Sequence, residues 1–146
     1  MVETVFLSLG SNLGDRAANL DRALSVLEER LGKAPEAVSD YIETESWGFD
    51  APDFINAVAA FKLEDVDGVK LLGICKDIEK EMGRDEALEY GNDGRRIYHS
   101  RVIDIDILLI GERTIDLENL KVPHPLMEQR DFVMIPLRQV QNMLNN

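Results

Sequence analysis

The sequence predicts an α+β fold in which two helices cover one face of an antiparallel sheet, in a ferredoxin-like β-α-β-β-α-β order with additional C-terminal elements. Two apolar stripes at helical spacing alternate with β-branched segments that are typical of strands. Glycine, asparagine and proline mark the turns between these segments. The chain has 146 residues and is 45% hydrophobic, which suffices for the core of one ordinary domain. We therefore predict a single domain over residues 1–146.

The first strand and the first helix have clear local signals. Residues 5–9 are apolar and strand-like, and the glycine- and asparagine-containing turn at residues 10–16 follows them. Asp15 stands where it can cap a helix, and Gly32 stands where it can end one. Apolar side chains recur along one helical face between these two positions. The pattern predicts a strand, a turn and a helix in that order.

Two further strands and a second helix are predicted in the middle of the chain. Residues 37–46 and 56–63 have the composition of strands, and glycine and proline lie in the loop between them. The second helix is predicted over residues 67–82 and ends at Gly83. Residues 85–100 are polar and form a long predicted loop, and loops of this length are usually functional or mobile.

The C-terminal part of the chain contains shorter elements. A turn at Gly111 leads into a short predicted strand around Ile115. The sequence Val-Pro-His-Pro at residues 122–125 then precedes a short predicted helical segment. These are the elements that we add to the ferredoxin-like core.

Composition excludes several classes of partner. The net charge is -12 at pH 7, so a general binder of nucleic acid or of anionic membranes is not expected. No apolar stretch approaches the roughly 20 residues that span a membrane, and no leader precedes the first strand. The one cysteine, Cys75, cannot form an internal disulfide and is predicted to be a small core residue. We expect a cytoplasmic protein that acts as a monomer.

A strand at residues 101–110 carries two carboxylates and is the most informative segment. Alternation places Asp104 and Asp106 on one face, together with Leu108 and Ile110. The two aspartates are then roughly 6.5 Å apart along the strand. Because burying two unpaired negative charges is very costly, a cation should face them, and Mg²⁺ is the obvious candidate. The alternative is a half-solvated strand whose acidic face meets water.

Several positive side chains come near this strand in the sequence and could bind phosphate. The guanidinium group suits phosphate oxygens, and with a carboxylate pair and Mg²⁺ it is typical of phosphoryl transfer. The alternative is a set of surface charges that offset an acidic chain. The glycine-containing turn at residues 10–14 is not a Walker loop and is better interpreted as a strand-to-helix turn. The candidate positive residues are Arg84, Arg95, Arg96, Arg101, His124 and Arg130.

Aromatic residues beside the predicted loops could bind a flat heterocycle. Trp47, Phe54 and Phe132 lie in or next to loops, as a stacking site requires. Asn56 carries both a donor and an acceptor for the edge of a ring. For each aromatic residue taken singly, ordinary core packing is the alternative.

Five motifs in order resemble those of the 6-hydroxymethyl-7,8-dihydropterin pyrophosphokinase family. The resemblance covers nearly the whole chain. Its motifs are Gly10-Ser11-Asn12-Leu13-Gly14-Asp15, Phe54-Ile55-Asn56-Ala57, Glu79 with Gly83-Arg84, Arg101-x-x-Asp104-x-Asp106, and Val122-Pro123-His124-Pro125 with Arg130-x-Phe132.

The resemblance implies an activity and a pterin site. The activity is transfer of pyrophosphate from ATP to the pterin hydroxymethyl group in folate biosynthesis, with release of AMP. The pterin is implied to lie between Phe54 and Phe132, with Asn56 and the backbone near Thr44 and Trp47 at its edge.

The resemblance also implies the residues that bind the metal and ATP. Asp104 and Asp106 would hold two Mg²⁺ ions that bridge the phosphates, and Arg84 and Arg101 would act with them in catalysis. The residues implied to bind ATP are Lys76, Glu79, Arg84, Arg101, His124 and Arg130.

Two other function classes are compatible with single features of the sequence. A non-catalytic ferredoxin-like domain could bind a ligand, but it would not need buried carboxylates. A metal-dependent phosphodiesterase could use Asp104 and Asp106, but it would need a water-activating base, and we find none in the sequence. The combination of the aspartate pair with the aromatic residues and the arginines favours the pyrophosphokinase.

Overall fold

The computed structural model describes residues 1–44, 53–83 and 102–145. Its strands are interrupted by two helices, and a third helix ends the described chain. In chain order they are β1 (Val2–Ser11), α1 (Arg16–Leu31), β2 (Ala37–Val38), β3 (Ile42–Thr44), β4 (Phe54–Glu64), α2 (Gly68–Glu81), β5 (Asp104–Ile110), β6 (Ile115–Asp116), β7 (Lys121–Val122), a 3₁₀ turn (Met127–Gln129) and α3 (Asp131–Leu144).

The main sheet is antiparallel, with the strand order β2-β4-β1-β5 and with β3 also paired to β4. β1 and β4 form its centre and pair along their whole length, from Val2 opposite Glu64 to Ser11 opposite Ile55. A separate ribbon joins β6 to β7. The predicted α+β class with an antiparallel sheet is confirmed.

Helices α1 and α2 cover one face of this sheet, and their ends are where the sequence predicts them. Asp15 caps α1 by accepting a hydrogen bond from the N–H of Ala18. Gly32 ends α1 in the left-handed region, with φ of 72°. Asp67 caps α2 in the same way as Asp15 caps α1. In the described ranges no helix is both long and apolar enough to cross a membrane.

Helix α3 covers the opposite face of the sheet and is longer than predicted. The sequence analysis expected only a short helical segment here, whereas α3 has 14 residues. Pro136 lies inside α3, and proline normally argues against a continuous helix. Burial of Val133, Leu137 and Val140 against β4 and its neighbours outweighs that local preference.

The predicted strand at residues 37–46 is divided into two strands. β2 and β3 both pair with β4, and residues 39–41 separate them. At this break the N–H of Ser39 donates to the carbonyl of Val58, and the Ser39 hydroxyl accepts from the Val58 N–H. Local side-chain bonding of this kind competes with a regular ladder, which explains the interruption.

A bulge in β5 changes which face its later residues occupy. Ile107 lies opposite Leu7 and Leu109 opposite Phe6, so Leu108 has no opposite residue in β1. The expectation that Leu108 and Ile110 share a face is therefore wrong. Leu108 packs on the α3 side, while Ile110 joins the core beneath α1 and α2.

Cys75 is buried in the core on α2, as predicted. Burial and, to a smaller extent, the nearby Glu79 carboxyl raise the pKa of its thiol to about 12. Because the thiolate is the reactive form, we expect the native protein to resist an aromatic disulfide reagent at pH 8 and the unfolded protein to react at once. Absorbance of the released thiol measures this. Rapid stoichiometric reaction of the native protein would contradict it.

Candidate active site

A cavity of about 120 Å³ opens on the α3 side of the sheet, between β5 and the end of β3. A larger groove of about 900 Å³ at the other end of β1 contains none of the predicted site residues. The smaller cavity brings together residues from β1, β3, β4, β5 and the start of α3. Its lining residues are Ser8, Gly10, Thr44, Phe54, Asn56, Asp104, Asp106, Arg130 and Phe132.

The two aspartates of β5 lie on the floor of the cavity. Pairing with β1 places Asp104 opposite Gly10 and Asp106 opposite Ser8. Both aspartates are half-buried. Burial raises the pKa of Asp106, and the negative charge of Asp104 raises it further, whereas Lys76 and Arg130 lower it. A divalent cation between the two carboxylates would offset this repulsion.

The donor set at this floor fits Mg²⁺ bound together with a phosphate ligand. Within the part of the chain that the structure describes, no group of three or more histidine, cysteine, aspartate or glutamate side chains could hold a metal. Mg²⁺ commonly takes one or two carboxylates and completes its octahedron with water and substrate phosphates. A lone carboxylate pair is therefore suitable for Mg²⁺ and unsuitable for a closed structural zinc site.

Asn56 has a fixed orientation at the cavity wall. It lies on β4, is only 4% exposed, and its Nδ2 donates to Thr44 Oγ1 at 2.7 Å. In this arrangement the amide nitrogen faces Thr44 and the amide oxygen faces Gly10. The amide retains a second hydrogen and an oxygen for the edge of a ligand ring.

Because Gly10 has no side chain, there is room beside it for the side chain of Asn56. The sequence analysis placed Gly10 in a turn, but it lies within β1, whose pairing continues to Ser11. A Cβ atom at Gly10 would lie 2.8 Å from Asn56 Oδ1 and 3.5 Å from Cδ1 of Phe54. Glycine is therefore required here for close approach of a side chain rather than for a turn.

If the cavity binds the heterocycle that the resemblance implies, we expect Gly10→Ala to weaken that binding by about tenfold, because the added methyl group would displace the buried Asn56 amide at a cost of ~1.4 kcal/mol. Calorimetric titration with a non-reactive pterin would measure the change. Gly73→Ala is the matched control, because Gly73 is exposed on α2 and a Cβ there meets no atom within 4 Å. Equal affinities in both variants would contradict the role given to Gly10.

Phe54, Phe132 and Arg130 reach the cavity from two elements. Phe54 begins β4, whereas Arg130 and Phe132 lie at the start of α3. The Arg130 guanidinium carbon lies 5.7 Å from the centre of the Phe132 ring, within the range of a cation–π contact. This arrangement places a positive charge and an aromatic ring beside the carboxylates of β5.

The hydrogen bonds of His124 favour one tautomer of its neutral imidazole, near Asp104. The backbone N–H of His124 donates to the carbonyl of Leu108 at 3.0 Å, and its ring Nδ1 accepts from the backbone N–H of Leu126 at 3.3 Å. Burial lowers the pKa of the imidazole, and Arg130 lowers it further. The proton of neutral His124 then lies on Nε2, which remains a donor for an anionic ligand.

Lys76 and Glu79 lie outside the cavity on α2. Glu79 is 1% exposed, and its Oε2 accepts from the N–H of Ile105 at 2.8 Å. The Nζ of the more exposed Lys76 lies 3.4 Å from Glu79 Oε1. Burial raises the pKa of Glu79, and the Ile105 hydrogen bond partly offsets this.

The structure also identifies site residues that the sequence analysis missed. Ser8 and Gly10 line the cavity because alternate residues of β1 face α3. Arg16 donates from Nη1 to the carbonyl oxygen of Asp53 at 2.6 Å and lies 3.7 Å from Glu43 Oε1. It thereby ties the start of α1 to the strand ends beside the cavity. Alternation could have revealed Ser8, but Arg16 has no local signal.

Several predicted site residues lie outside the described ranges. Trp47 lies between Thr44 and Asp53, in the part of the chain that is not described. The same holds for the predicted loop at residues 85–100. The predicted phosphate-binding residues in this group are Arg84, Arg95, Arg96 and Arg101.

Comparison with known proteins gives a consistent family. A family model described as 7,8-dihydro-6-hydroxymethylpterin-pyrophosphokinase matches residues 6–142. The 2-amino-4-hydroxy-6-hydroxymethyldihydropteridine pyrophosphokinase of Porphyromonas gingivalis is 45% identical over 138 residues, which cover 93% of this chain and 89% of that protein. The enzymes of the same name from Aquifex aeolicus and Bacillus subtilis are 41% and 33% identical, covering 94% and 96% of this chain and 80% and 79% of their own lengths. The chain therefore belongs to the 7,8-dihydro-6-hydroxymethylpterin-pyrophosphokinase family.

Proposed function

We propose that this protein transfers the terminal pyrophosphoryl group of ATP to 6-hydroxymethyl-7,8-dihydropterin, giving AMP and the pterin diphosphate for folate biosynthesis. The observation that carries the proposal is one cavity in which an aspartate pair and an aromatic, amide-lined wall lie side by side. The wall of this cavity offers contacts for a flat heterocycle, and its floor offers ligands for a metal bound to phosphate. Family membership supports the same reaction.

Phe54, Phe132 and Asn56 would hold the pterin. The rings of the two phenylalanines offer apolar faces for stacking, and the fixed amide of Asn56 reads the pterin edge. Thr44 orients that amide, and Trp47 is proposed to lie along the same edge. This binding would hold the hydroxymethyl group toward Asp104 and Asp106, where the phosphates are proposed to lie.

Asp104 and Asp106 would hold two Mg²⁺ ions against the phosphates of ATP. When bound, these ions supply neutralisation of the phosphate charge and polarisation of the attacking hydroxyl group. The two carboxylates would fix the place at which that charge is neutralised, on the floor of the cavity. The pterin hydroxyl oxygen would bond to the β-phosphorus as the bond from that phosphorus to the α–β bridging oxygen breaks. The bridging oxygen leaves as part of AMP, and the hydroxyl proton passes to solvent water.

The remaining predicted residues would bind and orient ATP. His124 offers its Nε2 proton and Arg130 its guanidinium group on the side of Asp104. Lys76 supplies a positive charge from α2. Arg84 and Arg101 are proposed to stabilise the transferring group, as arginines do in phosphoryl transfer. A buried free thiol fits a reducing compartment, and we place the reaction in the cytoplasm.

The products of a single incubation test this function. With ATP, Mg²⁺ and the reduced pterin, we expect AMP and pterin diphosphate in equal amounts, measured by anion-exchange chromatography. Without the pterin we expect no AMP, because no acceptor is present. ADP with a pterin monophosphate, or phosphate released without the pterin, would overturn the proposal.

A further inference from the structure

A buried carboxylate on α2 contacts the backbone of β5 between the two aspartates. Glu79 Oε2 accepts a hydrogen bond of 2.8 Å from the N–H of Ile105. Ile105 is the residue between Asp104 and Asp106, and 26 positions of sequence separate it from Glu79. The Glu79 side chain is 1% exposed, so it presents almost no surface to a ligand.

The hydrogen bond from Ile105 to Glu79 lies on the edge of β5 that faces away from β1. Along an antiparallel pair, residues direct their N–H groups alternately toward the partner strand and away from it. Since the Ile105 N–H donates to Glu79, it points away from β1, and its two neighbours direct theirs toward β1 at Gly10 and Ser8. Over the described residues β5 pairs with β1 alone, so Glu79 supplies a contact where a further strand would otherwise lie.

Helix α2 gives Glu79 a rigid base. Cys75 and Ile78, on the same helix, are both 0% exposed in the core beneath the sheet. Lys76 Nζ, 3.4 Å from Glu79 Oε1, offsets part of the cost of burying the charge. The carboxylate is therefore held by packing and by charge, and it can fix the strand that it contacts.

We propose that Glu79 is a positioning residue that holds the outer edge of β5 and so sets the separation and direction of the Asp104 and Asp106 carboxylates. The proposal rests on the proposed role of these aspartates as metal ligands. It differs from the direct ATP contact that the family resemblance implies, because Glu79 acts through the backbone of Ile105 and beside the Asp104 carboxyl. Burial raises the pKa of Glu79, and the negative charge of Asp104 raises it further. Partners that orient metal ligands in this way commonly affect metal affinity by 10- to 100-fold.

Two variants of Glu79 test the length of its side chain and its charge separately. Glu79→Gln keeps an oxygen at the same distance along the side chain but removes the charge. Glu79→Asp keeps the charge but is one methylene shorter, so it cannot reach Ile105 without backbone movement. Ile78→Val is the stability control, since it loosens the same helix without touching the Ile105 N–H.

The first measurement is hydrogen exchange of the Ile105 amide in the metal-free protein. We expect protection to be retained in Glu79→Gln and to fall by about tenfold or more in Glu79→Asp. The second is the affinity for Mn²⁺ in the presence of a non-hydrolysable ATP analogue, measured from the spin-resonance signal of free Mn²⁺. We expect about a tenfold loss in Glu79→Asp, a much smaller change in Glu79→Gln, and no change in Ile78→Val.

The opposite order of the two Glu79 variants would overturn the proposal, because charge rather than reach would then matter. A lower melting temperature in Glu79→Asp with unchanged Ile105 exchange and Mn²⁺ affinity would also overturn it, because the role would be one of stability only. Failure of the proposed function is distinguishable. In that case the unmodified protein would form no AMP, whatever the behaviour of the Glu79 variants.

Discussion

Replacing Asp104 or Asp106 with alanine is expected to lower turnover about a thousandfold while the protein remains folded. Each change removes one of the carboxylates proposed to hold Mg²⁺ at the phosphates, and metal stabilisation of transition-state charge is worth several kcal/mol, or roughly a thousandfold in rate. The fold should tolerate the loss, because burial and the charge of Asp104 already disfavour the ionised form of Asp106. AMP formation at saturating ATP and pterin measures turnover, and thermal melting measures the fold.

Asp116→Ala is a suitable control for these variants. Asp116 is an exposed aspartate on β6 that pairs with Lys121, so its removal costs little. We expect unchanged turnover in Asp116→Ala. To test the fold separately, we expect the melting temperature of Asp106→Asn without metal to be no lower than that of the unmodified protein. Substantial turnover in either alanine variant at Asp104 or Asp106 would refute their role as metal ligands.

The second large effect is expected for Asn56→Ala, which should reduce kcat/KM for the pterin by up to about 100-fold. The change removes an amide that is 4% exposed, so the Thr44 hydroxyl and, in the proposed complex, the pterin edge lose their partner. An unsatisfied buried polar group costs about 1–3 kcal/mol, which corresponds to roughly 10- to 100-fold. Initial rates at varied pterin concentration measure the loss.

Thr44→Val separates the orientation of the Asn56 amide from its presence. Valine removes the 2.7 Å hydrogen bond to Asn56 but leaves the amide in place. We expect an intermediate loss for the pterin in this variant and an unchanged KM for ATP in both. An equal loss of affinity for ATP and for the pterin would show that Asn56 supports the whole cavity rather than the pterin wall.

The parts of the fold that the sequence predicts well depend on neighbouring residues. Asp15 and Gly32 bound α1 as predicted, because a cap and a left-handed glycine act within one helical turn. Asp104 and Asp106 share a face because alternation along a strand is a local property. The family motifs add the order of these features along the chain.

The parts that the sequence analysis missed depend on distant residues. The length of α3 follows from burial against β4, which outweighs the presence of Pro136. The role of Gly10 is visible only once β1 and β4 pair and bring Asn56 beside it. The contact of Glu79 joins α2 to β5, and periodicity along either element does not reveal such a contact.

The unmatched Leu108 interrupts the alternation of side chains between the two faces along the seven residues of β5. Residues before it present their alternate side chains to the cavity, whereas Ile110 after it is buried in the opposite layer. Deleting Leu108 would join Ile107 directly to Leu109 and give a regular ladder in which Ile110 and the aspartates keep the faces that they now occupy. The bulge therefore absorbs one extra residue while the residues on both sides of it stay in their own layers.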